Sequence, residues 1–307
     1  MINYNEYLKQ SDTKTKVASY LSRHYGIEVN LDVPNRLFKY SRINQYIIND
    51  LEKNHFTMSC PTLFNDLYDT AIHRNSFESR YEDELERIEL LRICGFCEPE
   101  QIDIEKIKND AEHEDRFLSQ YMKESFRVGC LSENNTSILM WSHYADNNQG
   151  ICIEYDLTNT LLQPFMYPVA YAPIPIDCSE LCETDIDLAM LLSTIVKYNI
   201  WEYEREWRMI LYYPTQSNDI KNKRIQAMMP KPKAIYLGKN FLQYWIDNKR
   251  EKHFSFFVRF CDYTRKNNIP LYVMKNKLMS YEFEPVTIDI AVVQRLSEGE
   301  LYDKYLV

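Results

Sequence analysis

Glycine is scarce in this chain, with six among 307 residues. No Gly-x-Gly-x-x-Gly run occurs, so the backbone cradle with which a doubly wound sheet grips a dinucleotide pyrophosphate is missing. Long apolar runs are missing as well. No segment reaches the roughly 18 consecutive apolar residues of a membrane helix, and the opening MINYNEYLKQSDTK lacks the apolar core of a signal peptide. The expectation is a cytoplasmic chain with no membrane partner. Positive charge is in deficit, since 36 Lys and Arg against 45 Asp and Glu leave a formal charge of −9. Such a balance argues against a protein that coats nucleic acid electrostatically, although a local basic groove stays compatible with it.

Eight cysteines are present, two pairs of them closely spaced. Cys94 and Cys97 form a CxxC and Cys178 and Cys182 a CxxxC, so four thiolates could close a zinc site. A zinc ribbon sets each pair on a Gly-rich knuckle, however, and the neighbours here are helix-like. Reduced, free thiols are the expected state.

Apolar residues at 45% and aromatics at 14% suffice for a sizeable core. The periodicities predict an α+β fold built on a central mixed or antiparallel sheet. A helical addition occupies residues 1–30, with apolar positions at helical spacing from Tyr4 to Tyr25 and a stop at Gly26. A single α+β domain spans 31–307. It opens with a strand at Arg36–Tyr40, Ser41 as N-cap, a helix over Ile43–Asn54 and a strand at His55–Cys60. Charged helical periodicity over about 76–126 predicts an insertion. Strands follow at Arg127–Ser132 and Gly150–Tyr155, separated by a short helix over Ser137–Ala145. A Pro-punctuated stretch leads to a helix over Leu188–Tyr198 and a strand from Trp207. Another strand at Lys233–Gly238, helices over Phe241–Arg250 and Phe254–Asn267, and a strand after Pro270 complete the chain.

Several segments carry unusual polar and aromatic density: LFKYSRIN, CPTLFNDLYD, CLSENNTSILMWSHYADNNQGICIEYD, WEYEREWRMI and AIYLG. Over Leu37–Gly238 they resemble the bacterial family catalogued as domain of unknown function 2971. The shared motifs imply one site.

The residues suggest its chemistry. Asn65, Asp66 and Asp69 follow Pro61 in a loop leaving a strand, where side chains serve either a ligand or their own turn. Trp141 and Tyr144 lie one helical turn apart and share a face, while His143 points elsewhere. Glu202, Glu204 and Glu206 alternate, which on a strand would line all three on one face. Crowded carboxylates favour a raised pKa, a metal or a cationic ligand. Arg208 suits bidentate pairing with a buried carboxylate.

The order of these pieces is similar to that of ADP-ribosyltransferases. The resemblance implies a sheet cleft that takes NAD as a substrate, with Glu206, His143 and Asp69 as catalytic candidates. Lys39, Tyr40, Asn65, Asp66, Trp141, Tyr144, Glu204 and Arg208 are the ligand-binding candidates. It implies a nucleotide ligand and a nucleic-acid or protein acceptor. A toxin or anti-phage defence effector, with an operon-encoded protein partner, would fit such an activity. The departures are the lack of a clear Ser-Thr-Ser motif and of an unambiguous first-strand arginine. Two other readings stand beside it. One is a metal-dependent nuclease with Asp66, Asp69, Glu204 and Glu206 caging magnesium. The other is a non-catalytic ligand-sensing module with Trp141, Tyr144 and Trp207 as an aromatic box.

Overall fold

The computed structural model describes residues 4–66, 68–70, 73–95, 102–158, 160–214 and 223–297. The chain begins with two helices where the periodicity predicts one, α1 (Tyr4–Lys9) and α2 (Ser11–Tyr25), because Gln10 is extended between them (φ −69°, ψ 135°). α2 stops at Gly26, which takes the left-handed conformation at φ 65°. Then come β1 (Arg36–Ser41), α3 (Gln45–Lys53) and β2 (His55–Ser59). Ser41 ends β1 and does not cap the helix. Asn44 does so, its side-chain oxygen accepting the N–H groups of Tyr46 and Ile47.

The insertion is a pair of packed helices, α4 (Ser76–Ile93) and α5 (Ile104–Ser125). After it come β3 (Phe126–Ser132), α6 (Ile138–Tyr144), β4 (Ile151–Asp156), β5 (Met166–Pro168) and β6 (Ala170–Ala172). α7 (Ser179–Thr184), α8 (Ile186–Ile195) and β7 (Val196–Tyr198) lead to a 3-10 turn over Asn199–Glu204. The helix predicted to reach Tyr198 ends at Ile195, because Val196–Tyr198 pairs in parallel with β6. The rest is β8 (Glu206–Tyr212), β9 (Arg224–Met228), β10 (Ala234–Leu237), α9 (Phe241–Asp247), α10 (Phe254–Lys266), β11 (Leu271–Asn276), β12 (Phe283–Thr287) and α11 (Ile290–Ser297). The fold is α+β around a large mixed sheet.

The sheet runs β12-β11-β10-β4-β1-β3-β2-β9, with β8 also on β3 and β5 on β8. Within this sheet, among the described residues, β10 and β11 alone pair in parallel, through the α9–α10 crossover. Period-two alternation separates two cores across β1 and β4. Leu37, Ile151, Ile153 and Tyr155 face α3, α9 and α10. Phe38, Tyr40 and Cys152 face the opposite way, with Met140 and Trp141 of α6. A third core joins α1, α2 and α8 to β3 and β8, so the N-terminal helices are sealed against the sheet by Tyr4, Leu8, Val17 and Leu21. Among the described residues no helix is long and apolar enough to cross a membrane.

One detail of register positions the site. β1 pairs with β4 along its whole length, Arg36↔Asp156 to Ser41↔Ile151, whereas its pairing with β3 is confined to Phe38↔Ser132. β3 pairs fully with β8 instead. The sheet therefore forks between β1 and β3, and a cleft lies at the fork.

The turn from α6 to β4 is equally constrained. Asp146, Asn147 and Asn148 are all left-handed, at φ 52°, 54° and 68°, a conformation that Asp and Asn tolerate better than most residues. The Asn148 backbone then passes so close to Gly238 that a Cβ there would sit 2.2 Å from the Asn148 carbonyl oxygen. Gly238→Ala should therefore lower unfolding free energy by more than about 2 kcal/mol, as overpacking does. Gly26→Ala should cost only the roughly 1–2 kcal/mol of left-handed strain, since no atom lies within 4 Å of its added carbon. Urea denaturation of the two variants checks the difference.

Candidate active site

The cleft at the fork has a volume of about 410 Å³. β1 contributes Phe38, Lys39 and Tyr40, and β3 contributes Cys130, Leu131 and Ser132. The loop after β2 adds Leu63, Phe64, Asn65 and Asp69, and α6 adds Met140, His143 and Tyr144. Lys197 of β7, Glu204 and Glu206 close it. Eight of the candidates from the sequence thus converge: Lys39, Tyr40, Asn65, Asp69, His143, Tyr144, Glu204 and Glu206.

Beneath the cleft lies an ionic cluster built on Arg208, whose side chain is fully buried. Its two terminal nitrogens donate to the two Asp69 oxygens, each at 2.7 Å. Nε and Nη2 donate to the two Glu206 oxygens, each at 3.0 Å. The Thr194 carbonyl accepts from Nη1 at 2.7 Å. Bidentate geometry of this kind is the strong form of the ion pair. The Lys197 ammonium sits over the same acids, 2.7 Å from Glu204, 3.3 Å from Glu206 and 3.8 Å from Asp69. Tyr144 donates its hydroxyl proton to the other Glu204 oxygen at 2.6 Å. Three carboxylates thus face two cations, one negative charge in excess when all are ionised.

The two glutamates answer in opposite directions. Burial pushes Glu206 up, but Arg208 and Lys197 outweigh it and hold the carboxyl well below its ordinary value. Glu204 is raised, by burial first and by the neighbouring Glu206 charge, with Lys197 only partly offsetting them. For Lys197, burial pulls down, yet Glu206, Asp69 and Glu204 lift the ammonium above its ordinary value. Burial and the Glu204 charge push the Tyr144 hydroxyl up, so it stays a donor. The Cys130 thiol is driven well up by burial and Glu206, which removes thiolate nucleophilicity.

The backbone fixes Glu204 firmly. Arg205 is left-handed at φ 42°, ending the 3-10 turn. The Ser132 hydroxyl donates to the Glu204 carbonyl at 2.6 Å, and the Glu133 amide to the Arg205 carbonyl at 3.1 Å. The alternation expected for Glu202, Glu204 and Glu206 on one strand face is therefore corrected. The strand starts at Glu206; Glu202 is exposed on the turn, and Glu204 and Glu206 meet across the left-handed residue.

Three further candidates belong elsewhere. Trp141 is fully buried with its indole N–H on the Asn135 carbonyl at 2.8 Å, and its ring is a core contact of Tyr40 at 5.2 Å. It does not line the cleft. Asp66 accepts the Tyr68 amide in an Asx turn at 2.9 Å and faces a different pocket. Arg208 lies under the floor and touches carboxylates alone among the side chains it hydrogen-bonds. Trp207 is buried too, donating to Glu133 at 2.6 Å, so the box of Trp141, Tyr144 and Trp207 does not form. His143 is exposed at the rim, its Nδ1 3.0 Å from the Tyr203 hydroxyl.

Sequence reasoning missed Lys197, which it placed inside a helix. The signal available was a lone lysine in the apolar run STIVKYN. It also missed Tyr171, whose hydroxyl accepts the Glu206 amide at 2.9 Å. Among the described residues no His, Cys, Asp and Glu side chains group so as to hold a metal ion. Cys94, Cys178 and Cys182 are free, and Cys97 lies outside the described residues.

No protein-family model, curated protein sequence or solved structure matches the chain.

Two measurements probe the cluster. Arg208→Met strands Asp69 and Glu206 in the interior, and unfolding free energy should fall by about 3–5 kcal/mol, the cost of breaking a buried pair from one side. The glutamates differ in their pH signature. Glu204, raised in the fold, contributes most below its ordinary 4.5 and loses that contribution as pH rises through its shifted value. Glu206, lowered, contributes fully above 4.5 and loses it only as pH falls towards its shifted value. Melting temperature across roughly pH 4 to 8 should therefore flatten in Glu204→Gln, whereas Glu206→Gln should be less stable than wild type at neutral pH.

Proposed function

We propose that the cleft binds a nucleotide and breaks a glycosidic bond in it, with NAD as the substrate. The observation that carries this reading is the surplus negative charge of the cluster: three carboxylates against two cations, with Glu204 at the cleft surface. The nicotinamide of NAD is a pyridinium, and a bound cation supplies the missing positive charge. As the C–N bond breaks, the electron pair leaves with the ring nitrogen and positive charge passes to the ribose. Glu204 faces that charge directly, and a preorganised carboxylate in a desolvated site stabilises such a transition state. The same ionised Glu204 then takes the proton that the attacking acceptor releases as its bond to the ribose carbon forms. Lys39 of the cleft wall, whose ammonium lies 3.3 Å from the Cys130 carbonyl, offers a cation for the phosphates. Tyr144 orients Glu204, and Glu206 with Arg208 forms the rigid base below.

The order of a first-strand Lys39-Tyr40, a mid-chain aromatic and histidine segment and a late glutamate, which resembles that of ADP-ribosyltransferases, supports the same reading. A magnesium cage draws less support, because Asp69, Glu204 and Glu206 each already sit on Lys197 or Arg208 and Asp66 turns to another pocket. A protein or nucleic-acid acceptor, and a role as toxin or anti-phage effector, fit NAD consumption.

The test is nicotinamide release from NAD by the purified protein, with cell extract as the source of acceptor and with or without a chelator. Release should occur and be indifferent to chelation. Glu204→Gln should stay folded and lose on the order of 10²-fold or more in rate, the usual cost of one such electrostatic contact. Cleavage of nucleic acid that stops on chelation would instead establish the nuclease, and neither activity would leave a binding module.

A further inference from the structure

A second pocket of about 330 Å³ backs onto the first. The loop after β2 turns Asn65 and Asp69 to the cleft but Asp66 and Tyr68 to the second pocket, and Lys197 lines both. The Lys197 ammonium is spent on the carboxylates, and it also lies 5.0 Å from the centre of the Trp201 ring, which lines the second pocket.

The lining is mostly apolar and aromatic. The Tyr68 ring stacks on His73 at 6.4 Å and 22°, and Trp201 sits on the segment that also carries Glu204. Burial, and then the Lys123 charge, pull His73 below its ordinary value, which favours a neutral ring. Tyr68, Ile174 and Tyr198 are exposed by 70%, 63% and 53%, yet all three converge here. Large side chains left open around one concavity mark a binding site more than a solvated surface. The volume, the apolar walls and the few polar groups match a small-molecule site, and Pro173 and Pro175 restrict its rim.

We infer that this pocket binds a neutral planar ring bearing an N–H donor, of the kind a nucleobase presents. Stacking partners are Tyr68 and Trp201, and the Asp66 carboxylate is the acceptor for the ring's amino group. An anionic ring is disfavoured by Asp66, and the Trp201 face turned to the Lys197 ammonium is already taken by a cation. The site is separate from the chemistry proposed for the cleft and stands without it.

Adenosine, which has no phosphate to engage Lys39, is the probe. Trp141, Trp207 and Trp245 are at most 2% exposed, so an added quencher reaches Trp201 first. Adenosine should quench tryptophan fluorescence saturably. Tyr68→Ala should weaken its affinity about tenfold or more, as loss of one stacking partner does. Quenching that never saturates, or an affinity unaltered by Tyr68→Ala, would overturn the inference. No turnover is measured, so a protein that binds adenosine without releasing nicotinamide loses only the reaction proposed for the cleft, and one that releases nicotinamide without this binding loses only this pocket.

Discussion

Burying a guanidinium without water obliges the fold to surround it with acceptors, and most of the local architecture follows from that demand. Arg208 reaches its partners from the middle of β8, so Asp69 must be brought in by the loop after β2, Thr194 by the end of α8, and Glu206 by the strand's own first residue. Three separate stretches of chain, the loop after β2, the end of α8 and β8 itself, are thereby tied to one point. An isolated charge at that depth would be prohibitive; a cation held by two carboxylates and a carbonyl is tolerable, and removing any partner is not. The second cation, Lys197, then becomes necessary because two acids plus Glu204 overfill the first.

This arrangement separates structure from chemistry among residues that look alike in sequence. Glu204 and Glu206 are two positions apart and of one type, yet Arg208 and Lys197 hold Glu206 low, while burial and the Glu206 charge raise Glu204 in spite of Lys197 at 2.7 Å. What separates them is a single left-handed residue, Arg205, which turns the chain between the 3-10 turn and the strand. No periodicity announces such a residue when it is an arginine and not a glycine, and this is why strand alternation misplaced Glu202 and Glu204.

Much else was legible. Alternation in RLFKYS and ICIEYD marked strands with two covered faces, and the charged 3.6-residue periodicity marked the inserted helices. The convergence of Lys39, Asp69, His143, Tyr144 and Glu206 followed from motif density alone. Trp141 and Trp207 misled because a motif aromatic reads the same whether it lines a ligand or fills a core; only their indole donors, satisfied internally by Asn135 and Glu133, decide the matter. The short strands β5, β6 and β7 escaped notice because three-residue pairings carry too little pattern, and β12 because Glu and Pro dominate it. Lys197 escaped with β7. The DNNQG stretch is the counterpart: its polar residues look functional, but three consecutive left-handed positions and the close pass of Gly238 explain them by geometry.

The fork between β1 and β3 gives the sheet a seam. Along most of β1 the edge towards β3 carries no ladder, so the β4 side and the β8 side are joined there by one residue pair and by the side chains that cross the gap. A continuous sheet ties its two sides together through every rung of its ladder; along this line a single rung does so. The width of the cleft is then set by side chains that bridge its walls, Lys39 to the Cys130 carbonyl and Tyr40 to the Asn134 carbonyl, more than by backbone pairing.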